Sequence, residues 1–319
     1  MSDPVPDISL VIPVYNEEAV LATLFARLYP ALDALGRSYE VIFVNDGSRD
    51  ASAALLRAQF ERRPDVTRVV LFAANFGQHR AILAGFAYAR GRVLITLDAD
   101  LQNPPEEIPR VVAELDAGHD YVGTIRQQRQ DVAWRRWASR FINVLRERTT
   151  RIRITDHGCM FRGYSRGIVD AINQCTENNT FVPALAYTFA GNPTEINVRH
   201  EDRSGGESKY SFYHLIKLNF DLMTGFSIVP MQLFSAMGFG VSVLSVLFGV
   251  ALVIRRLVGG AEAAEQGIFT LFAIAFLLIG VTLFGLGLLG EYIGRIYEEV
   301  RRRPRYIVGA VLERPQSPS

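Results

Sequence analysis

The stretch RVLITLDADLQNPP, Arg92–Pro105, is an apolar run that ends in Asp98, Asp100 and Gln102 at alternate positions. An extended segment sends side chains i, i+2 and i+4 to one side, so this spacing gathers two carboxylates and an amide carbonyl in one small volume. Two carboxylates that close repel each other, and one pKa rises unless a cation joins them. Oxygen ligands of this kind suit Mg2+ or Mn2+ rather than zinc. The plainer alternative is a polar turn, with Asn103 capping a helix that Pro104 and Pro105 open. The surrounding sequence separates the two readings.

Residues 8–125 alternate apolar strands with amphipathic helices. The strands are ISLVIP (8–13), EVIFV (40–44), RVVLF (68–72), RVLITL (92–97) and DYVGT (120–124), with helical patterns near 18–35, 50–62, 78–90 and 106–117. Such alternation predicts a parallel sheet with helices on both faces, and ligands gather beyond the carboxyl ends of its strands. Polar clusters stand at four of those ends: VYNEE (14–18), NDGSRD (45–50), NFGQH (75–79) and DADLQ (98–102). Alone, Asp46-Gly47 is a turn and Ser48 or Asp50 a helix cap. Together the clusters predict one cleft: Asp46 to grip a ribose or base, a turn at Gly77 open to close backbone approach, and a carboxylate pair for a diphosphate-bound metal. That set suits a nucleoside diphosphate.

The composition excludes several other chemistries. A net charge of +1 over 319 residues gives no support for nucleic-acid binding. Cys159 and Cys175 have neither metal-type spacing nor a disulfide framework, and the five histidines are scattered. There is no P-loop and no G-x-S-x-G elbow. GLGLLG (285–290) matches a dinucleotide fingerprint but follows no strand; within an apolar span its glycines suit close helix packing instead.

The hydrophobic excess lies near the C-terminus. Residues 228–254 and 268–290 are apolar and, apart from their flanks, uncharged, which predicts two transmembrane helices. The start MSDPVPDISL lacks the basic flank and apolar run of a cleavable signal. Lys209, Lys217, Arg295, Arg301, Arg302, Arg303 and Arg305 outnumber Arg255 and Arg256 of the short link, which predicts cytoplasmic placement of both termini and of the large domain. The expected organisation is a cytosolic domain (1–210), a juxtamembrane amphipathic helix (211–227), the two spans, and a basic cytosolic segment (291–319). A run of arginines with tryptophans, RQQRQDVAWRRWASR (126–140), follows the fifth strand. Arginine pairs well with phosphate and tryptophan favours the membrane interface, so this run suits a lipid-linked phosphate. Most charge runs are merely solvated helix faces, which is the alternative here.

VIPVYNEE, VNDGSRD, NFGQH and LDADLQNPPEEIPR resemble the inverting GT-A glycosyltransferases of family 2. The Arg/Trp run, GESKYS and the apolar pair narrow the resemblance to the polyprenyl-phosphate group. Within it, NFGQHRAILAGF, VGTIRQQRQD, GCMFRGYSRGIVDAI, GESKYSF and GLLGEYIGRIYEEVRRRPRY are most similar to segments of transferases that move 4-deoxy-4-formamido-L-arabinose from UDP to undecaprenyl phosphate. The resemblance runs from about Ile8 to Val308.

It implies a GT-A fold, Rossmann-like with a mostly parallel sheet, followed by an interfacial helix and two transmembrane helices. It implies inverting sugar transfer from a UDP-sugar donor to undecaprenyl phosphate, at the cytoplasmic face of a bacterial inner membrane, for lipid A or envelope modification. Pro13, Tyr15, Glu17, Asp46 and Asp98 match positions that hold the donor nucleotide. Asp100 and Gln102 match the ligands of Mg2+ or Mn2+, and Asp98, Asp100 and Arg203 carry the catalytic roles. Arg126, Arg135 and Ser139 match positions near the acceptor phosphate, Arg203 a mobile-loop contact to the donor diphosphate, and Asp156 an acidic residue near the transferred sugar. An extra glycine in SGGESKY and Ser165 in GYSR depart from the pattern, and leave glucose, mannose or an N-acetylhexosamine as alternative donors. The rivals are a processive polysaccharide synthase, which needs more spans and a glutamine where Ala133 stands, and a non-catalytic nucleotide-sugar scaffold. Gly-bearing spans make helix association, and so a homo-oligomer, plausible.

Overall fold

The computed structural model describes residues 5–126, 152–156, 158–175, 181–201, 224, 227–259, 268–301 and 303–314. They fall into two compact units. The first is an eight-stranded mixed sheet with helices. β1 (Ile8–Val14), β2 (Tyr39–Asn45), β3 (Thr67–Phe72) and β4 (Val93–Thr96) are buried along their whole length. This explains their near-continuous apolar character, because strands covered on both faces have no polar side to show. The intervening helices are α1 (Glu18–Asp33), α2 (Ser52–Arg62), α3 (Gln78–Tyr88) and α4 (Ile108–Asp116), the last entered through a 3-10 turn at Pro105–Glu107. Ile8, Leu10 and Ile12 of β1 and Leu21, Leu24 and Leu28 of α1 form the centre of the core with no exposure at all.

β1 pairs in parallel with β2 on one side and β4 on the other, and β2 continues to β3. The chain therefore departs from β1 in two directions, and the gap between the carboxyl ends of β1 and β4 is the switch point at which such sheets bind ligands. β5 (Tyr121–Arg126) matches the fifth expected strand. Three further strands had no counterpart in the sequence pattern. β6 (Arg162–Ser165) lies antiparallel between β4 and β5, β7 (Pro193–Val198) is parallel to β5, and β8 (Val308–Leu312) is antiparallel to β3. The order is β7-β5-β6-β4-β1-β2-β3-β8. Helices α5 (Arg166–Gln174) and α6 (Val182–Phe189) complete the unit. Both cysteines are free thiols.

β8 brings the end of the chain back into the sheet, so part of the expected basic segment 291–319 belongs to the first unit. Tyr306 stacks on Phe72 with centroids 5.0 Å apart, the Ala73 N–H donates to the Ile307 carbonyl at 3.0 Å, and Arg68 pairs with Glu313 at 3.2 Å.

In the second unit, α7 (Val229–Gly259) covers the first expected span and α8 (Ile268–Val300) the second. Ile274–Val300 is long and apolar enough to cross a membrane. Phe239, Phe276 and Leu277 are each at least 67% exposed, an apolar surface of the kind that marks an interaction face. A Cβ on Gly285 would fall 2.1 Å from the Phe234 ring, so a glycine is what lets α7 and α8 touch there. α8 continues ten residues past the expected boundary at 290. Glu291 and Arg295, one turn apart at 2.8 Å, give its charged end helical pairing. The expected amphipathic helix 211–227 lies almost wholly outside the described residues.

Candidate functional site

The four polar clusters meet at the carboxyl ends of β1 to β4. β4 stops at Thr96, so Asp98, Asp100 and Gln102 are gathered by a turn rather than by the extended alternation their spacing suggested. Leu101 makes that turn at φ +61°, a left-handed conformation costly for a side chain of its size. The Gln102 N–H donates to Asp100 Oδ1 at 3.2 Å, and Gln78 Nε2 at the start of α3 donates to Asp98 Oδ1 at 2.6 Å. Burial, with the charge of Asp100 added, pushes the Asp98 carboxyl up to about 7; the Met160 N–H, Arg126 and Gln78 pull the other way.

Such a crowded pair is the donor set a divalent cation relieves. Among the described residues no group of three or more His, Cys, Asp or Glu gathers to hold a metal, here or elsewhere, so the set here is two carboxylates and the Gln102 amide. Two carboxylates and an amide fit Mg2+ or Mn2+, which leave the remaining positions to water and phosphate oxygens.

One wall is built from β1 and β2. Asp46 is 3% exposed and accepts from the Phe76 N–H at 2.6 Å, the Gly77 N–H at 2.8 Å and Asn75 Nδ2 at 3.1 Å. Burial raises its pKa and the two backbone donors oppose the rise. Asp46 thus ties the end of β2 to the loop after β3, with one of a carboxylate's roughly four lone-pair positions left for a ligand. Gly47 has two reasons to be glycine: φ is +66°, and a Cβ would lie 2.4 Å from the Ala74 carbonyl carbon. Asn16 and Glu17 knit the first cluster to the second. The Asn16 N–H donates to Ser48 Oγ at 3.0 Å, Asn16 Oδ1 accepts from the Arg49 N–H at 2.8 Å, and the Glu17 N–H donates to Ser52 Oγ at 2.9 Å. Pro13 is buried opposite Val44, and Tyr15 stands at the rim, 42% exposed.

The opposite wall carries Arg126 at the end of β5. Its guanidinium grips Asp156 with two bonds, Nε to Oδ2 at 2.7 Å and a terminal nitrogen to Oδ1 at 2.8 Å. Asp156, 5% exposed, also accepts from the Gly158 N–H at 3.0 Å. Arg162, wholly buried, fixes this turn by donating to the carbonyls of Cys159 (2.8 Å) and Asp156 and to the Tyr121 hydroxyl. The expected site residues Arg135, Ser139 and Arg203 lie outside the described residues. Gln78 and the partnership of Arg126 with Asp156 were not foreseen. NFGQH carried the signal for the first; the second joins residues 30 apart and has none.

Comparison with known proteins accords with this fold. The sequence model of glycosyl transferase family 2 matches residues 9–172. Proteins named undecaprenyl-phosphate 4-deoxy-4-formamido-L-arabinose transferase are 50% identical over 96% of this chain and 92% of the relative in Shewanella sediminis, and 49% identical over 99% and 97% in Klebsiella pneumoniae subsp. pneumoniae. Among solved structures, glucosyl-3-phosphoglycerate synthase from Mycobacterium tuberculosis, crystallised with Mn2+, UDP and phosphoglyceric acid, superposes with a TM-score of 0.51. It covers 69% of this chain and 76% of that one at 17% identity. A second crystal of that synthase, with Mg2+ and UDP, gives the same score. At such identity the likeness speaks for the fold.

Proposed function

Because the chain belongs to glycosyl transferase family 2, we propose that it moves 4-deoxy-4-formamido-L-arabinose from a UDP-linked donor to undecaprenyl phosphate, with inversion, at the cytoplasmic face of a bacterial inner membrane. The observation that carries this reading is the near-complete coverage, at about half identity, by relatives of that one name. The cleft at the ends of β1 to β4 supplies groups suited to the chemistry.

The acceptor is a phosphate monoester, ionised at neutral pH, so its oxygen attacks the anomeric carbon without a general base to take a proton. The absence of a histidine from the cleft's polar clusters other than NFGQH is then no obstacle. The difficult event is departure of the nucleoside diphosphate. Asp100 and Gln102 would hold a Mg2+ or Mn2+ ion, which when bound offsets the negative charge developing on that leaving group. Asp98, held by Gln78, faces the same leaving group, and Asp46 with the turn at Gly77 seats the nucleotide. Arg126, fixed in orientation by Asp156, offsets the charge of the attacking phosphate and aligns it. Arg135 and Ser139 are assigned to the same phosphate, and Arg203 to the donor diphosphate. Attack opposite the leaving group inverts the anomeric centre.

The test is release of nucleoside diphosphate by the full chain in detergent, with undecaprenyl phosphate and a donor panel, each with and without chelator. The panel comprises the UDP-linked formamido-arabinose, UDP-glucose, UDP-N-acetylglucosamine and GDP-mannose. Chelator-sensitive release with the arabinose donor alone is expected, and Asp100→Ala lowers turnover by at least about 100-fold. Release with another donor overturns the sugar; near-normal turnover of Asp100→Ala overturns the metal.

A further inference from the structure

We propose that Arg27, on α1 and outside the cleft, is a positioning residue for the divalent-cation site, acting by clamping the strained turn that presents Asp100 and Gln102; the inference rests on the metal assignment above. A left-handed leucine persists only where its surroundings over-determine it. Here they do so from three sides. The Leu101 side chain is buried, 6% exposed, and the Gln102 N–H is held by Asp100. The Gln102 carbonyl accepts from the Glu201 N–H at 2.9 Å. One guanidinium then ties Glu201 to Glu106, four residues beyond Gln102. Arg27 Nε and Nη2 donate to the two oxygens of Glu106 at 3.0 and 2.9 Å, while Nη1 and Nη2 donate to those of Glu201 at 2.9 and 2.9 Å. Arg199 lies 3.7 Å from Glu107 and adds a second tie between the same two segments.

Residues 199–201 are thus fastened across residues 102–107. Arg27, 79 and 174 residues away from its partners, is the fastener. Four of its five N–H groups are used, a double fork that a lysine cannot reproduce. The Arg27, Glu106 and Glu201 side chains are 28%, 53% and 49% exposed. Ion pairs that open to water add little to global stability, so the clamp acts on local geometry. The residue it holds by the carbonyl is the one whose side-chain amide is assigned to the metal.

The experiment is a Mn2+ titration followed by electron paramagnetic resonance on the full chain in detergent with UDP present. It uses the wild type, Arg27→Ala, Glu201→Gln, their double variant and Asp100→Ala, each with its thermal midpoint. Outer groups that orient ligands are worth about 10–100-fold in metal affinity. Arg27→Ala is expected to weaken Mn2+ binding by about 10-fold with little change in midpoint, and Glu201→Gln by a similar factor. The double variant is expected to be no weaker than the weaker single, because both remove one clamp. Undiminished Mn2+ affinity in Arg27→Ala and Glu201→Gln, beside a loss in Asp100→Ala, overturns the clamp and leaves the metal site standing. Losses that multiply in the double variant overturn it too. Unchanged affinity in Asp100→Ala removes the metal assignment, and the clamp's role with it.

Discussion

His79 stands beside the site, and its packing bears on stability. It follows Gln78, which holds Asp98, and its ring packs edge-on against Phe181 at 5.0 Å. Its Nδ1 is buried with no hydrogen-bond partner among the described residues. Burial, with the charge of Arg162 behind it, lowers its pKa to about 4. A folded-state value below the unfolded one means the unfolded chain binds the proton first as pH falls. The stability from keeping this ring neutral is therefore complete above about pH 6.5 and is lost between there and pH 4. At pH 5 the loss is about 2 kcal/mol, or roughly 4–8 °C in midpoint. Thermal scans at pH 7.5 and pH 5 should show the wild type falling further than His79→Leu by that amount; equal falls would free His79 of the role. A tally of polar clusters could name such a residue but could not assign it, since a ring at one strand end can face ligand or core equally well.

The elements were legible to different depths. β1 to β5 and the helices between them could be read because each buried strand is an apolar run and each helix repeats its apolar face. β6, β7 and β8 could not. RGYS contains a buried arginine and a glycine, PTEINV begins with proline, and VGAVL is only five residues long and follows a basic stretch. Their pairing comes from tertiary partners rather than from their own pattern. The site divides the same way: DADLQ, NDGSRD and NFGQH were visible, whereas the clamp of Arg27 and the fork of Arg126 on Asp156 join distant residues. The residues leading into β8 also act on the wall proposed for the nucleotide. Tyr306 on Phe72 and Ile307 on Ala73 support the start of the loop whose Asn75, Phe76 and Gly77 grip Asp46. Tyr306→Ala is expected to cost about 1–2 kcal/mol of stability and to weaken UDP binding several-fold. Differential scanning fluorimetry with and without UDP reads both, and an unshifted UDP response would confine β8 to a structural part.

For the molecule as a whole, the decisive fact is that the chain leaves the sheet unit before α7 and rejoins it after α8. Any membrane crossings between those two points are even in number, because both ends belong to one folded body. With α8 as the candidate crossing, α7 is proposed as the second of two spans. Cysteine labelling in intact and permeabilised cells is expected to place residues near 5 and 314 on the cytoplasmic side and the link 260–267 on the other. Opposite sides for the two ends would refute the pairing of crossings. The same return has a consequence in time. β3 is made early, yet its outer edge stays unpaired until some 235 further residues, both apolar helices among them, have been synthesised. An open sheet edge is a template for unwanted pairing. Completion of the sheet therefore waits on synthesis of both apolar helices, and a chain cut short before β8 is left carrying an exposed edge, a mark by which a cell's disposal machinery can tell it from a finished one.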